Sequence, residues 1–152
     1  MSHIHDLIDL VVSINVVYDG KILMIHHRKL DRWLPIGGHV ELDEDPEEAV
    51  TREAKEESGL DIEILGTRPD IDCPGTKFLI APAYLDIHEI PPGNHRHIGL
   101  VYFAKAKTDQ IVLAPEEHHD IRWFTPAELD DPQYDLSPAI KFYAREALKA
   151  VT

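Results

Sequence analysis

The segment GHVELDEDPEEAVTREAKEESGL, residues 38–60, contains the clearest structural signals in this chain. We predict a helix that begins near Pro46, because Asp45 is a favourable N-cap and proline suits the first helical position. The predicted helix ends at Gly59, since glycine easily adopts the left-handed conformation that closes a helix. One side of it is apolar, which predicts packing against a core: Ala49, Val50 and Ala54.

The sequence on either side of this helix predicts strands, at residues 11–18, 21–27, 62–65, 78–90, 98–105 and 121–124. Asp19-Gly20 predicts a tight hairpin, and the continuous apolar run 22–25 indicates a central strand covered on both faces. Residues 33–38, with two glycines, are predicted to be a loop, and Ser137-Pro138 should cap a last helix reaching about residue 150. This order predicts an α/β protein, an α/β/α sandwich with a central mixed β-sheet.

Three glutamates share one face of the predicted helix. Glu53, Glu56 and Glu57 have the spacing i, i+3, i+4, which brings side chains together on a helix. Converging carboxylates repel one another unless a cation joins them, and oxygen ligands suit Mg²⁺ or Mn²⁺ rather than zinc. Exposed helices are rich in glutamate, however, so this spacing alone favours a solvated surface over a metal site.

The residues before the helix change this balance. Gly38 is followed after five residues by Glu44, and Glu44 after seven by Arg52-Glu53. The whole pattern resembles the Nudix box, G-x5-E-x7-R-E-U-x-E-E-x-G-U, in which U is an aliphatic residue. Every fixed position matches, with Ala54 as the first U. The resemblance is tight over residues 33–60 and loose over the whole chain, so we expect a single Nudix hydrolase domain at 1–152.

The resemblance implies an enzyme that hydrolyses a nucleoside diphosphate linked to another moiety. The substrate would be a small nucleotide, either a nucleoside triphosphate or a nucleotide sugar such as ADP-ribose. Water would attack one phosphorus of the diphosphate, which predicts a nucleoside monophosphate and a phosphorylated second product. The resemblance leaves open which phosphorus is attacked and which nucleotide is used.

The resemblance also implies a role for each residue of the motif. The catalytic carboxylates and metal ligands would be Glu53, Glu56 and Glu57, which would bind Mg²⁺ (or Mn²⁺) with help from the Gly38 carbonyl. The remaining fixed residues would be structural, with Arg52 orienting the carboxylates, Glu44 pairing with it, and Gly59 closing the helix. The general base stays open among four residues: Glu56, Glu57, Glu116 and Glu117.

Basic and imidazole side chains outside the motif are further candidates. Arg28 and Arg32 would contact a substrate phosphate, or they would belong to an ordinary hairpin end. The ten histidines raise the question of a zinc site. His95 and His97 would share a face in a strand, but no third ligand stands at a fixed spacing, which favours polar surface. We expect the same for His118, which should point away from its neighbour His119.

The net charge of −13 excludes several partners, because such a surface repels nucleic-acid backbones and anionic membranes. Residues 1–6 lack the basic start and cleavage site of a signal peptide, and no apolar run would span a bilayer. With one cysteine, no internal disulfide can form, so we expect a cytoplasmic protein. The oligomeric state stays open, with a homodimer as one alternative.

Two alternative functions remain at this stage. A non-catalytic Nudix-fold regulator that senses a nucleotide would not need a complete set of metal-binding glutamates, which argues against it. An activity similar to isoprenoid-diphosphate isomerase would use a cysteine paired with a glutamate. Cys73 lies in a predicted loop after the motif, which disfavours this alternative.

Overall fold

Apolar strands build one mixed sheet, which the computed structural model describes within residues 7–151. Its strands are β1 (Ile8–Tyr18), β2 (Lys21–His27), β3 (Arg32–Leu34), β4 (Ile36–His39), β5 (Ile62–Ile64), β6 (Tyr84–Ile90), β7 (His95–Ala106) and β8 (His118–Phe124). The α-helices are α1 (Pro46–Ser58) and α2 (Pro138–Val151), and two 3₁₀ helices cover Ala127–Asp130 and Pro132–Tyr134. Residues 1–6, for which we predicted no signal peptide, and residue 152 lie outside the described part.

Strands β1 and β7 form the centre of the sheet and run parallel, in register from Ile8 opposite Arg96 to Val17 opposite Lys105. The far edge of β7 pairs antiparallel with β6 and then with β5. The other edge of β1 is divided between β4 and the first two residues of β2, and β2 continues the sheet to β3 and β8. The predicted hairpin is confirmed, because Asp19 and Gly20 both have positive φ, as a tight primed turn requires.

The helices cover opposite faces of the sheet, which confirms the predicted α/β/α sandwich. Helix α1 packs Ala49, Val50 and Ala54 against alternate residues of β1 and β2: Val12, Ile14, Val16, Leu23 and Ile25. Helix α2 packs on the other face, against a second cluster that includes Val17, Ile22, Met24, Val101 and Phe103. Successive side chains of β2 point to opposite faces of the sheet, and both faces are buried, which explains its continuous apolar run. Within the described residues, no helix is long and apolar enough to span a membrane.

Two sequence-based predictions of local structure were wrong. Residues 33–38 are not a loop, because the long edge of β1 offers hydrogen bonds to β4, and β2 pairs with β3. Residues 78–83 do not extend strand β6, which begins only at Tyr84. This segment turns instead to helix α1, where the Ile80 N–H donates to the Glu47 carboxylate at 3.0 Å.

Candidate active site

The caps of helix α1 set the position of its glutamates. The Asp45 carboxylate accepts from the Glu48 N–H at 2.9 Å, and Gly59 closes the helix at φ 74° with its N–H bonded to the Lys55 carbonyl. Between these caps, Glu53 and Glu57 are buried, with 8% and 3% of their surface exposed. Glu56 is exposed beside them. The helix therefore presents two buried carboxylates and one at the solvent edge.

Arg52 is surrounded by carboxylates and anchors the segment before the helix. Its Nε and Nη2 donate to both oxygens of Glu44, at 2.7 and 2.8 Å, in a bidentate pair. Nη1 donates to Glu53 at 2.8 Å and to Glu56 at 3.2 Å, and Nη2 also donates to the His39 carbonyl at 3.1 Å. The Arg52 hydrogen bond lowers the pKa of Glu44, which keeps this carboxylate ionised. One guanidinium thus joins the helix, the preceding loop and strand β4.

Strand β4 approaches the glutamates through two glycines. A Cβ on Gly38 would lie 2.3 Å from Oε1 of Glu53, so only glycine leaves this carboxylate in its place. A Cβ on Gly37 would lie 2.2 Å from the Val12 carbonyl oxygen, on the neighbouring strand β1. The Gly37 backbone also donates a hydrogen bond to Glu57. The double glycine therefore lets β4 pack closely against both the sheet and the carboxylates.

The two buried carboxylates have little neutralising charge around them. Arg52 pairs with Glu53 but also with Glu44 and Glu56, and among the described residues no lysine or arginine pairs with Glu57. Burial and the contact with Glu57 raise the pKa of Glu53 to about 8. Burial raises the pKa of Glu57 to about 7. These raised pKa values mean that the ionised carboxylates of Glu53 and Glu57 destabilise the fold unless a proton or a metal cation is bound between them.

A buried imidazole completes this arrangement. His118 at the start of β8 is 1% exposed, and its Nε2 lies 3.3 Å from Oε2 of Glu57 and 3.8 Å from the carboxylate of Glu117. Neither this Glu57 oxygen nor either nitrogen of His118 makes a well-oriented hydrogen bond. One ligand atom from each of the three side chains lies within 4.8 Å of the others. Unsatisfied buried polar atoms at this distance are what a bound cation or water would satisfy.

The residues therefore fit a divalent metal ion. The carboxylate oxygens of Glu53, Glu56 and Glu57 are hard ligands of the kind that Mg²⁺ and Mn²⁺ prefer. The absence of a side chain at Gly38 leaves room for the Glu53 carboxylate, and the Glu57 carboxylate has one buried oxygen without a hydrogen bond, which a cation or a proton would satisfy. The nearby His118 nitrogen would also suit Mn²⁺, because imidazole binds transition metals better than Mg²⁺.

A cleft of about 390 Å³ lies beside the double glycine, on the face of the sheet that helix α2 covers. Its walls come from β1, β2, β3, β4, β6, β7 and the start of α2, and they include Gly37, Gly38 and Arg32. This volume is in the range of small-molecule sites. Strand β4 thus forms part of the cleft wall on one side and contacts Glu53 on the other.

The remaining candidates lie at different distances from this site. Arg32 lines the cleft, whereas the Arg28 guanidinium donates to the carbonyls of Pro115 and His118 and so supports the loop before β8. Glu117 belongs to the cluster around Glu57, while Glu116 is exposed and outside it. The prediction that His118 is polar surface was wrong, because β8 pairs with β2 and turns its first side chain inward, with His118 opposite His27.

Comparisons with known proteins identify the family and the fold. A family model described as the NUDIX domain matches residues 9–145. A hydrolase of the NUDIX family from Clostridium perfringens is 33% identical, over 95% of this chain and 98% of its own, with a TM-score of 0.85. A MutT NUDIX hydrolase from Burkholderia pseudomallei is 26% identical over the same shares, with a TM-score of 0.67. A UDP-X diphosphatase at 15% identity and a TM-score of 0.67 is alike in fold alone, over 99% of this chain and 67% of its own. A search of curated proteins gave no match.

Proposed function

This chain belongs to the Nudix family and is a pyrophosphohydrolase, and we propose that it hydrolyses small nucleotides with the help of Mg²⁺ or Mn²⁺. The substrate class is a nucleoside diphosphate linked to another moiety, either a nucleoside triphosphate or a nucleotide sugar such as ADP-ribose. The observation that carries the proposal is the pair of buried carboxylates on helix α1, Glu57 and Glu53, of which Glu53 packs against Gly38. A buried acidic pair of this kind is stable only with a cation or proton between its members.

Glu53, Glu56 and Glu57 would bind the metal, with the Gly38 carbonyl as a further ligand. A bound divalent cation supplies positive charge to the phosphate oxygens and lowers the pKa of a coordinated water. Arg52 would position two of these ligands, because it donates to one oxygen of Glu53 and one oxygen of Glu56 and leaves the second oxygen of each carboxylate for the metal. Glu44 in turn keeps Arg52 oriented through the bidentate pair.

Glu57 is the general base that we favour. Its Oε2 is buried and makes no hydrogen bond, so this oxygen can accept a proton from a water held beside it. The proton of the attacking water would pass to this oxygen, while the other Glu57 oxygen would serve the metal. A P–O bond forms at one phosphorus and the bridging P–O bond breaks. Glu117 is the second candidate, since it is near Glu57, and Glu56 and Glu116 follow as the more exposed alternatives.

The cleft beside Gly38 would receive the nucleoside part of the substrate. Its volume of about 390 Å³ suits a base and a ribose rather than a polymer. Arg32 in the cleft wall would contact a phosphate oxygen that the metal leaves exposed. The charge of −13 also favours a substrate whose phosphates are neutralised by metal over a nucleic acid.

The test is to incubate the protein with a panel of nucleoside triphosphates and nucleotide sugars in Mg²⁺ and to identify the products. We expect a nucleoside monophosphate from at least one compound, and ¹⁸O-labelled water would show which phosphorus is attacked. Glu57→Gln should abolish the product, whereas the surface variant Glu63→Gln should retain it. A regulator that only senses a nucleotide would bind in calorimetry without Mg²⁺ and release nothing. If no diphosphate compound is cleaved, the proposed substrate class is wrong.

A further inference from the structure

A second cluster of metal-binding side chains lies away from the glutamates of helix α1. Its four members are Asp9, His39, His95 and His97, and one ligand atom from each lies within 4.8 Å of all the others. Oδ2 of Asp9 is 3.2 Å from Nε2 of His39 and 2.8 Å from Nε2 of His95. The His97 ring centroid is 5.0 Å from those of both His39 and His95. Three imidazoles therefore surround one carboxylate.

The pairing of three strands brings these side chains together. Asp9 on β1 is directly opposite His97 on β7, and His95 lies two residues before His97 on the same face. His39 on β4 is opposite Val11, which shares a strand face with Asp9. The cluster thus lies on paired strands, at the first residues of β1 and β7 and the last residue of β4, rather than on a loop.

This cluster is separate from the glutamate site although the two share strand β4. Successive residues of a strand point to opposite faces. The Cβ position of Gly38 faces Glu53, whereas His39 is on the other side of the strand, where it and His97 line one end of the cleft. The backbone of β4 therefore lies between the two clusters.

The donor set suits a late transition metal. Imidazole nitrogens bind Zn²⁺ and its neighbours in the first row, whereas Mg²⁺ prefers oxygen alone. Structural zinc sites have four protein ligands, with Zn–N distances of about 2.0–2.1 Å, which places neighbouring ligand atoms roughly 3.3 Å apart. The separations of 2.8 and 3.2 Å around Asp9 are close to this value.

The environment of His97 agrees with a role as a ligand. Burial and the neighbouring imidazoles lower the pKa of His97 to about 4, so this ring is neutral at physiological pH. A fourth imidazole, His88, packs 5.5 Å from His97 and is oriented by the Asp86 carboxylate at 2.7 Å. Tyr143 of helix α2 donates to the same carboxylate at 2.6 Å. Such outer partners fix the rings around metal sites.

From this geometry, we propose that Asp9, His39, His95 and His97 bind one Zn²⁺ ion, or a related late first-row divalent ion. The ion joins strand β4, which carries the double glycine, to the two central strands β1 and β7. Its role is to stabilise this part of the sheet, because all four positions of a tetrahedral site are supplied by the protein. Hydrolysis at the glutamates does not require it.

The experiment uses untagged full-length protein in excess Mg²⁺, which occupies carboxylate sites and competes poorly for imidazole. Titration with Co²⁺ should give the intense visible absorption of a tetrahedral site at one ion per chain, and Zn²⁺ should displace it. His95→Ala, at a partly exposed position, should weaken Zn²⁺ binding by at least about 100-fold. Loss of a side chain that only supports a ligand weakens metal binding by about 10–100-fold, so a larger loss identifies His95 as a ligand. His119→Ala removes an exposed histidine outside the cluster and should bind as the wild type does.

Further variants separate this site from the proposed hydrolysis. Asp9→Asn and His97→Gln should also lose the Co²⁺ absorption, so the test does not depend on one variant folding. Zn²⁺ should raise the melting temperature of the wild type and of Glu57→Gln but not of His95→Ala. The proposal is overturned if the wild type shows no tetrahedral Co²⁺ spectrum, or if His95→Ala and Asp9→Asn bind like the wild type. Either result leaves the hydrolase test unaffected.

Discussion

Substitution of Gly37 by alanine and substitution of Gly38 by alanine should damage the protein in different ways. At Gly38 the added Cβ would lie 2.3 Å from Oε1 of Glu53, and ordinary contact begins at 3.4 Å. The carboxylate must therefore move by roughly 1 Å, which disturbs the hydrogen bond that it accepts from Arg52 at 2.8 Å. A displacement of this size at a reacting centre costs on the order of 100-fold in rate.

At Gly37 the added Cβ would instead lie 2.2 Å from the Val12 carbonyl oxygen and 3.1 Å from the Ser13 Cα. These are backbone atoms of β1, which is paired on both edges and cannot move aside. Overpacking of this kind costs about 1–3 kcal/mol of the free energy of unfolding. Gly37→Ala should therefore lose stability, while Gly38→Ala should remain folded and lose activity.

Two measurements distinguish the variants. Denaturant unfolding of the metal-free proteins gives the stability difference, and kcat/KM as a function of Mg²⁺ concentration gives the loss at the site. We expect Gly38→Ala to stay within about 1 kcal/mol of the wild type, since a side chain can yield where a backbone cannot. The reasoning is refuted if Gly38→Ala keeps the kcat/KM and Mg²⁺ dependence of the wild type, or if it is less stable than Gly37→Ala.

Four further predictions address single groups of the site and its helix. Glu57→Gln should lower kcat by about 10²–10⁴-fold, the range for loss of a general base, with an unchanged circular dichroism spectrum; a fully active variant would rule out the assignment. Arg52→Lys loses the fork to Glu44 and should raise the Mg²⁺ concentration for half-maximal activity by about 10–100-fold, whereas an unchanged titration would show that Arg52 does not position the ligands. Mg²⁺ at 100 times its Kd should raise the free energy of unfolding by about 2.7 kcal/mol in the wild type and by much less in Glu53→Gln, as thermal melts would measure. Asp45→Ala removes the N-cap and should cost about 1 kcal/mol at neutral pH. A hydrogen bond from Lys77 lowers the pKa of Asp45 to about 2 from 3.8, so the carboxylate stabilises the fold above pH 3.8, and the difference between the two proteins should disappear as the pH falls towards 2.

Helix α1 could be predicted almost to the residue because its signals are local. Asp45, Pro46 and Gly59 act within one turn of their own positions, and the structure has the helix at Pro46–Ser58 with these caps. The face shared by the glutamates follows from helix periodicity alone. The roles assigned to these glutamates remain predictions until the variants above are measured.

The features that the sequence did not reveal depend on which strands pair. Residues 32–39 contain a proline and two glycines, which disfavour strands, so only the free edges of β1 and β2 make them strands. His118 is buried because β8 pairs with β2, which no local pattern indicates.

The histidine cluster has the same cause. The sequence predicts that His95 and His97 share a face, and the strand His95–Ala106 confirms it. The other two members, Asp9 and His39, come from β1 and β4, at distances along the chain that match no motif. Sequence spacing finds ligands that lie on one element, whereas ligands collected from three strands require the register of the sheet.

The parallel pairing of β1 with β7 has a consequence for how the chain folds. Every paired residue of the two central strands is 88 positions from its partner, as for Ile8 and Arg96. Closing so long a loop is slow, because the chain must lose conformational entropy before the paired strands stabilise the fold. The complete glutamate motif emerges early from the ribosome, yet strand β4 rests on β1, which is unsupported on its other edge until β7 is made. We therefore expect a nascent chain that stops before residue 95 to contain the whole motif and to lack the site.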